Sequence, residues 1–228
     1  MMSNTTLSRR QIMLGALAAG TFALPGCTGI PALSLTEVIR RLLERSSQNA
    51  FAQLLQPDGF YDSNIARITL PDRFGGASGS GVLSAVLNSS VFRENLQKEL
   101  NRAATDGAER AAPLIADAVR SVSIEDAAAL VRGGPQAASQ FLRGQMGTAL
   151  VTAMLPGIGD ALKLANNDVV SQAIKAVAGF DIAALAQDVT DKADNAIWAT
   201  IGAEEAAIRA DPQSTNDPLL IGTFGIIK

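Results

Sequence analysis

The chain has 228 residues, 19 basic and 22 acidic side chains, a net charge of −3 and no histidine. The missing histidine excludes Ser-His-Asp and Cys-His catalysis, the usual zinc sites and haem held by histidine. A single cysteine excludes an intramolecular disulfide, and the acidic balance argues against nucleic acid as a partner, because phosphate contacts need a basic patch.

The first element is an address. Ser8-Arg9-Arg10 precedes a weakly apolar run from Ile12 to Leu24 that is too short to span a bilayer. Arg9 and Arg10 with that run resemble a twin-arginine export signal. Leu24-Pro25-Gly26-Cys27 resembles a bacterial lipobox, which makes Cys27 the candidate lipid-attachment site. Several acyl chains on Cys27 would anchor firmly, at ~0.8 kcal/mol per buried methylene. The expected organisation is an export signal over 1–26, an anchor and linker over 27–33, and a helical domain over 34–228. Thr28 stands where an inner-membrane retention aspartate would stand, which favours the outer membrane. Removing 1–26 takes away two arginines and no acid, so the net charge falls to −5.

Helical patterns fill the remainder. Ser34-Leu35-Thr36-Glu37 has the spacing of a capping box, and Leu35, Val38, Ile39, Leu42, Leu43, Ala50, Phe51 and Leu54 follow a 3.6-residue period. Pro57-Asp58-Gly59 breaks it. Phe60 to Pro71 reads as extended, with Ile65, Ile68 and Leu70 as docking points. Gly75 to Gly81 reads as a flexible connection. It precedes a helix, as a phosphate loop would, but lacks the Lys-Ser/Thr ending. A second helical region is expected from about Val82 to Arg120, broken or bent at Ser89-Ser90 and kinked at Pro113, with Phe92, Leu96, Leu100, Ala103, Gly107, Ala111, Leu114 and Ala118 inward.

Ser123-Ile124-Glu125-Asp126 caps a short helix ending at Gly133-Gly134. Pro135 opens the next, which is expected to pass Leu150 and stop before Pro156. Another covers roughly Gly159 to Ala178. Asp181 caps a long helix to Ala210, stopped by Asp211-Pro212, and the apolar tail Leu219 to Phe224 packs back. The predicted fold is an all-α, alanine-rich helical bundle behind a disordered or helical signal segment.

Several runs carry a resemblance. They are Asp58-Gly59-Phe60, Arg67-Ile68-Thr69-Leu70-Pro71, Asn101-Arg102-Ala103-Ala104, Ile124-Glu125-Asp126-Ala127, and Gly133-Gly134 with Ala137-Ala138. Phe141-Leu142-Arg143, Ala203 to Arg209 with Pro212, Thr215 to Leu220, and Phe224-Gly225 complete them. In order and spacing they resemble an uncharacterised bacterial family, the domain of unknown function 4197. The resemblance implies an all-helical, exported domain and brings no catalytic residues. Thr105 stands where that family usually has a glutamate.

One residue sets periodicity against chemistry. Ile182, Ala186, Val189, Ala193, Ile197, Ile201 and Ile208 share a helix face, and Glu204 falls within it, while Glu205 and Arg209 fall outside as a surface i,i+4 pair. A carboxylate inside a core needs a partner. Arg67, Arg102 and Arg143 are candidate partners for Glu204, and the sequence does not choose among them. A structural ion pair, a binding or acid/base site, and a slightly turned helix that exposes Glu204 are the three readings. No cofactor is expected, and a metal site would need oxygen ligands. The expected function is a lipid-anchored, periplasm-facing helical protein that binds or scaffolds an envelope partner or apolar ligand. The alternative is a histidine-free carboxylate hydrolase with Glu204 as acid/base, chemistry that two carboxylates suffice for in glycosidases.

Overall fold

The computed structural model describes residues 34–70, 89–164 and 182–226. The chain divides into two compact units, 1–33 and 34–228, and the fold below is that of the second. Arg9, Arg10, Cys27, the Gly75–Gly81 connection and Asp181 lie outside the described residues.

The described chain is all-α, as predicted. Its helices are α1 (Leu35–Leu54), α2 (Gly59–Asp62), α3 (Ser90–Ser121), α4 (Ala127–Arg132), α5 (Ala137–Met146), α6 (Ala149–Leu164), α7 (Ile182–Ala210) and α8 (Pro218–Phe224), with a 3-10 turn at Pro212–Thr215. Among the described residues there is no strand.

Four long helices make the core. α3 packs on α6, α6 on α7, α7 on α1 and α1 on α3, a closed ring of neighbours. The buried stripes follow from the sequence: Val38, Ile39, Leu42, Leu43, Ala50, Phe51 and Leu54 on α1, and Leu150, Met154, Ile158 and Leu162 at four-residue spacing on α6. Small residues let α3 and α6 approach closely. A Cβ added to Gly107 would lie 2.7 Å from Cγ1 of Ile158, and Ala104, Ala108 and Ala111 are fully buried beside it. The short helices are applied to the outside: α2 on α3, α4 on α1, α5 on α7, and α8 on the 3-10 turn and α1.

Several local expectations differ from the structure. The capping box does not form: the Ser34 side chain makes no cap bond, and Glu37 turns instead to Arg40 and Arg41, 3.6 Å from each. The stretch after Pro57 is not extended from Phe60. Asp58 adopts a left-handed conformation (φ 57°), α2 makes one helical turn, another turn follows, and only the residues around Ile68 lie outside helix and turn. Ile68 docks, whereas Ile65 is exposed.

Ser89 is the N-cap at which α3 begins, in keeping with a break at Ser89-Ser90, and it accepts a hydrogen bond from Phe92 N at 3.3 Å. Pro156 does not stop its helix, and Pro113, where a kink is expected, likewise lies inside one. Both prolines are exposed, and the carbonyls they leave unbonded, four residues back, belong to exposed Glu109 and Thr152, where water can reach them. The break between α5 and α6 falls instead at Gly147, whose φ of 54° and ψ of −122° suit only glycine. After Pro113 the buried stripe of α3 continues through Ile115 and Val119, and Leu114 is turned outward. Pro212 does stop α7, and Leu220 and Phe224 pack back as expected.

Candidate functional site

Among the described residues the heavily bonded carboxylate of α7 is Glu205, not Glu204. Its side chain is fully buried. Oε1 accepts from Ala138 N at 3.0 Å and Oε2 from Ser139 N at 2.7 Å, the first free amides of α5. Arg209, one turn on, donates to the same carboxylate through Nε at 2.9 Å and forms an ion pair with it, Nη2 lying 2.8 Å from Oε1. Its remaining donors go to the last carbonyls of α4: Nη1 to Val131 O and Nη2 to Leu130 O, both at 3.0 Å. The Phe224 ring lies against the guanidinium, 4.7 Å from its centroid.

One ion pair therefore closes two helix ends. α5 has no capping side chain of its own, since Gln136 makes no cap bond, and the carboxylate supplies the missing acceptor. The signs suit the termini: an anion where amides point outward, a cation where carbonyls do. The expected surface pair is thus a buried corner-piece that joins α7 to α4, α5 and α8.

Glu204 lies half-buried on the other side of α7. Its oxygens accept from Asn49 Nδ2 at 3.0 Å and Gln53 Nε2 at 2.6 Å, both on α1. No candidate arginine reaches it. Arg67 donates to Tyr61 O and lies over the Tyr61 ring. Arg102 bonds Glu99 at 2.8 Å and lies 3.9 Å from Asp58. Arg143 bonds Asp194 at 2.7 Å and Asn195 Oδ1 at 2.6 Å. The reason is the width of the buried arc on α7. Asp194, Trp198, Gly202 and Glu205 are all buried on a second face, which α5 covers beside the Ile197–Ile201–Ile208 face. Gly202 marks the tightest approach there, since a Cβ would come 3.0 Å from Cδ of Gln136.

Three further polar groups tie segments together. Buried Asn101 accepts from Ile68 N at 2.8 Å and donates to Ile68 O at 3.0 Å, so one amide side chain grips both polar atoms of one backbone residue. Asp217 caps α8 through Leu219 N at 2.9 Å and Leu220 N at 3.4 Å, and meets Arg41 of α1 at 3.3 Å. Asp194 joins α7 to α5 through Arg143; burial pushes its carboxyl above the usual 3.8, against the lowering effect of Arg143 and Trp198.

Beside the Asn101 grip is an open cleft of about 610 Å³. Leu55, Pro57, Ala103 and Ala161 give it apolar surface, and Asp58, Glu99, Arg102 and Asp106 give it charge. Thr105, at the position where the resembled family usually has a glutamate, also lines it and spends its hydroxyl on Asn101 O at 3.2 Å. Among the described residues no group of three or more Asp, Glu, Cys or His gathers as a metal would require, and no helix is long and apolar enough to cross a membrane.

The runs singled out in the sequence meet one another in space. Ala203–Arg209 holds Ala138 and touches Phe224, Asn101 grips Ile68, and Arg102 approaches Asp58. They are joints of one architecture. The chain matches the family described as a protein of unknown function, DUF4197, over residues 30–225, and it belongs to that family. No curated protein and no solved structure matches it.

Proposed function

We propose that this chain is a lipid-anchored protein of the bacterial envelope whose helical domain faces the periplasm and binds or scaffolds a partner there. The observation that carries the reading is Leu24-Pro25-Gly26-Cys27 behind the Arg9-Arg10 pair, followed within a few residues by the start of the folded domain at Ser34. A lipid on Cys27 would tether the domain through residues 28–33, at most ~20 Å of extended chain. The outer membrane is the favoured leaflet, since Thr28 replaces a retention aspartate.

A binding role is favoured over turnover by what the carboxylates do. Glu205 and Asp217 serve as helix caps, and Glu204 has both oxygens on amide donors of α1. The hydrolase reading needs Glu204 to present an oxygen to substrate, and this arrangement does not favour it. The cleft beside Asp58 and Arg102, part apolar and part charged, is the recess that best suits a small partner group or ligand.

The test is expression of the full chain in a bacterial host, with membrane fractionation and mass spectrometry of the native N-terminus. The expected result is a mature chain that begins at acylated Cys27 and sediments with membranes, and a Cys27→Ser variant that is unprocessed or soluble. An unmodified mature N-terminus elsewhere overturns the reading. The same spectra reveal any small molecule retained by the domain.

A further inference from the structure

Asp194 occupies the seam between α7 and α5. It is 7% exposed, and each oxygen has one partner: Oδ2 accepts from Arg143 Nη2 at 2.7 Å and Oδ1 from the indole Nε1 of Trp198 at 3.1 Å. The two halves of the ion pair differ sharply in their surroundings. The Arg143 side chain is 42% exposed and reaches in from the last turn of α5. The anion is therefore held in the protein while its counter-charge keeps partial access to water. Among the described residues the charged groups acting on Asp194 are Arg143, across the seam, and Asp191, one turn earlier on its own helix and of the wrong sign. Removing a carboxylate from water costs more than a partly hydrated arginine returns. Burial is the largest influence on this carboxyl and it favours the protonated form.

What Arg143 anchors is the end of α5. Its carbonyl accepts the cap bond from Gly147 N at 3.0 Å, and Gly147, at positive φ, turns the chain into α6. Among the described residues the hydrogen bonds that tie that last turn to α7 are those from Arg143 to Asp194 and Asn195.

We propose that the Asp194–Arg143 contact is a pH-operated latch, in which proton uptake by Asp194 uncouples the end of α5 from α7 while the domain stays folded. The proton goes to a carboxylate oxygen, the charge attraction vanishes, and Arg143 is left with only the neutral Oδ1 of Asn195 on α7, a bond that water at this half-exposed side chain replaces. The sign favours this separation of events. A carboxyl whose folded-state value lies above the unfolded ~3.9 binds its proton more tightly in the folded chain. Stability therefore rises as pH falls through the folded-state value towards the unfolded one, so the latch opens without drawing the bundle towards unfolding. The inference does not depend on what the domain binds.

Trp198 is the only tryptophan in the chain and donates directly to the switching group, so its emission is the readout. The full chain is titrated with acid while tryptophan emission and helical circular dichroism are followed, for the wild type, Asp194→Asn and Arg143→Gln. Wild-type emission should change in one step with a midpoint above the ordinary aspartate value, at constant helicity. Asp194→Asn should be flat over that range. In Arg143→Gln the midpoint should move upward, because the cation that favours the anion has gone. Amide protection at Gln145 to Thr148, corrected for intrinsic exchange, should fall several-fold in the wild type below the midpoint. A flat wild-type titration, a step that persists in Asp194→Asn, or a step that coincides with loss of helicity overturns the proposal. Should Asp194→Asn not fold, the Arg143→Gln midpoint decides: an unmoved or lowered value overturns it.

Discussion

Removing the Glu205 carboxylate is the sharpest test of how this bundle is held. Glu205→Ala deletes an acceptor used by two helix-terminal amides and, among the described residues, the only anion bonded to Arg209. Ala138 is fully buried and Ser139 nearly so, so their N–H groups would lose a partner with little access to water. The guanidinium, about nine-tenths buried, would keep only its bonds to Leu130 and Val131. Breaking a buried pair from one side costs ~3–5 kcal/mol. For a domain of this size that lowers the melting temperature by about 6–20 °C. Glu204→Ala loses two amide contacts at a half-buried position and should cost about 1 kcal/mol. This order is the reverse of the one that the apolar period of α7 predicts. Urea unfolding followed by Trp198 emission and helical circular dichroism measures both. Formate should partly restore Glu205→Ala and not Glu204→Ala, because only the first leaves amides and a guanidinium around a carboxylate-sized space. Equal losses for the two variants, or a larger loss for Glu204→Ala, would refute the reasoning.

Two further outcomes rest on separate parts of the fold. Asn101→Ala should destabilise by ~1–3 kcal/mol, since it strands the buried Ile68 amide and leaves Ile68 O only its bond from Gln97 Nε2 at 3.3 Å; hydrogen exchange at the Ile68 amide should accelerate more than exchange elsewhere in the core. Gly144 and Gly147 should respond in opposite directions to alanine, and thermal melts would show it. Neither Cβ would meet an atom within 4 Å, so only the backbone decides: Gly144→Ala, on an exposed helical position, should gain ~0.5–1 kcal/mol, and Gly147→Ala, at positive φ, should lose ~1–3 kcal/mol.

Most of the bundle was legible because its helices carry regular apolar spacing. Val38 to Leu54 and Phe92 to Ala111 needed only a period of 3.6 to be placed. The punctuation was harder. Pro156 looked like a stop and Gly147 did not, because the cost of a helical proline depends on whether the carbonyl behind it faces water, which no local pattern states. The polar joints were the least visible. Glu205 was assigned to the surface because one apolar face was assumed for α7, and the helix has two. A signal was present in Asp194, Trp198, Gly202, Glu205 and Arg209, which recur at spacings of three and four and form a second stripe of mixed chemistry. Asn101 stood inside a recognised run, but its partner Ile68 lies 33 residues earlier, and no local rule links them.

The corner built by Glu205 has a consequence for the order in which the chain assembles. α5 is ten residues long and begins without a capping side chain, and a helix that short does not persist alone in water. Its first amides are satisfied by a residue 66 and 67 positions later. During synthesis, α5 therefore emerges long before the group that completes its first turn. It gains stable helicity only when the end of α7 has formed and docked, which places α4 and α5 among the last elements to consolidate. In the finished molecule the same dependence runs backwards: fraying at the end of α7 releases α5 with it, and the two ends of this gap open as one cooperative unit.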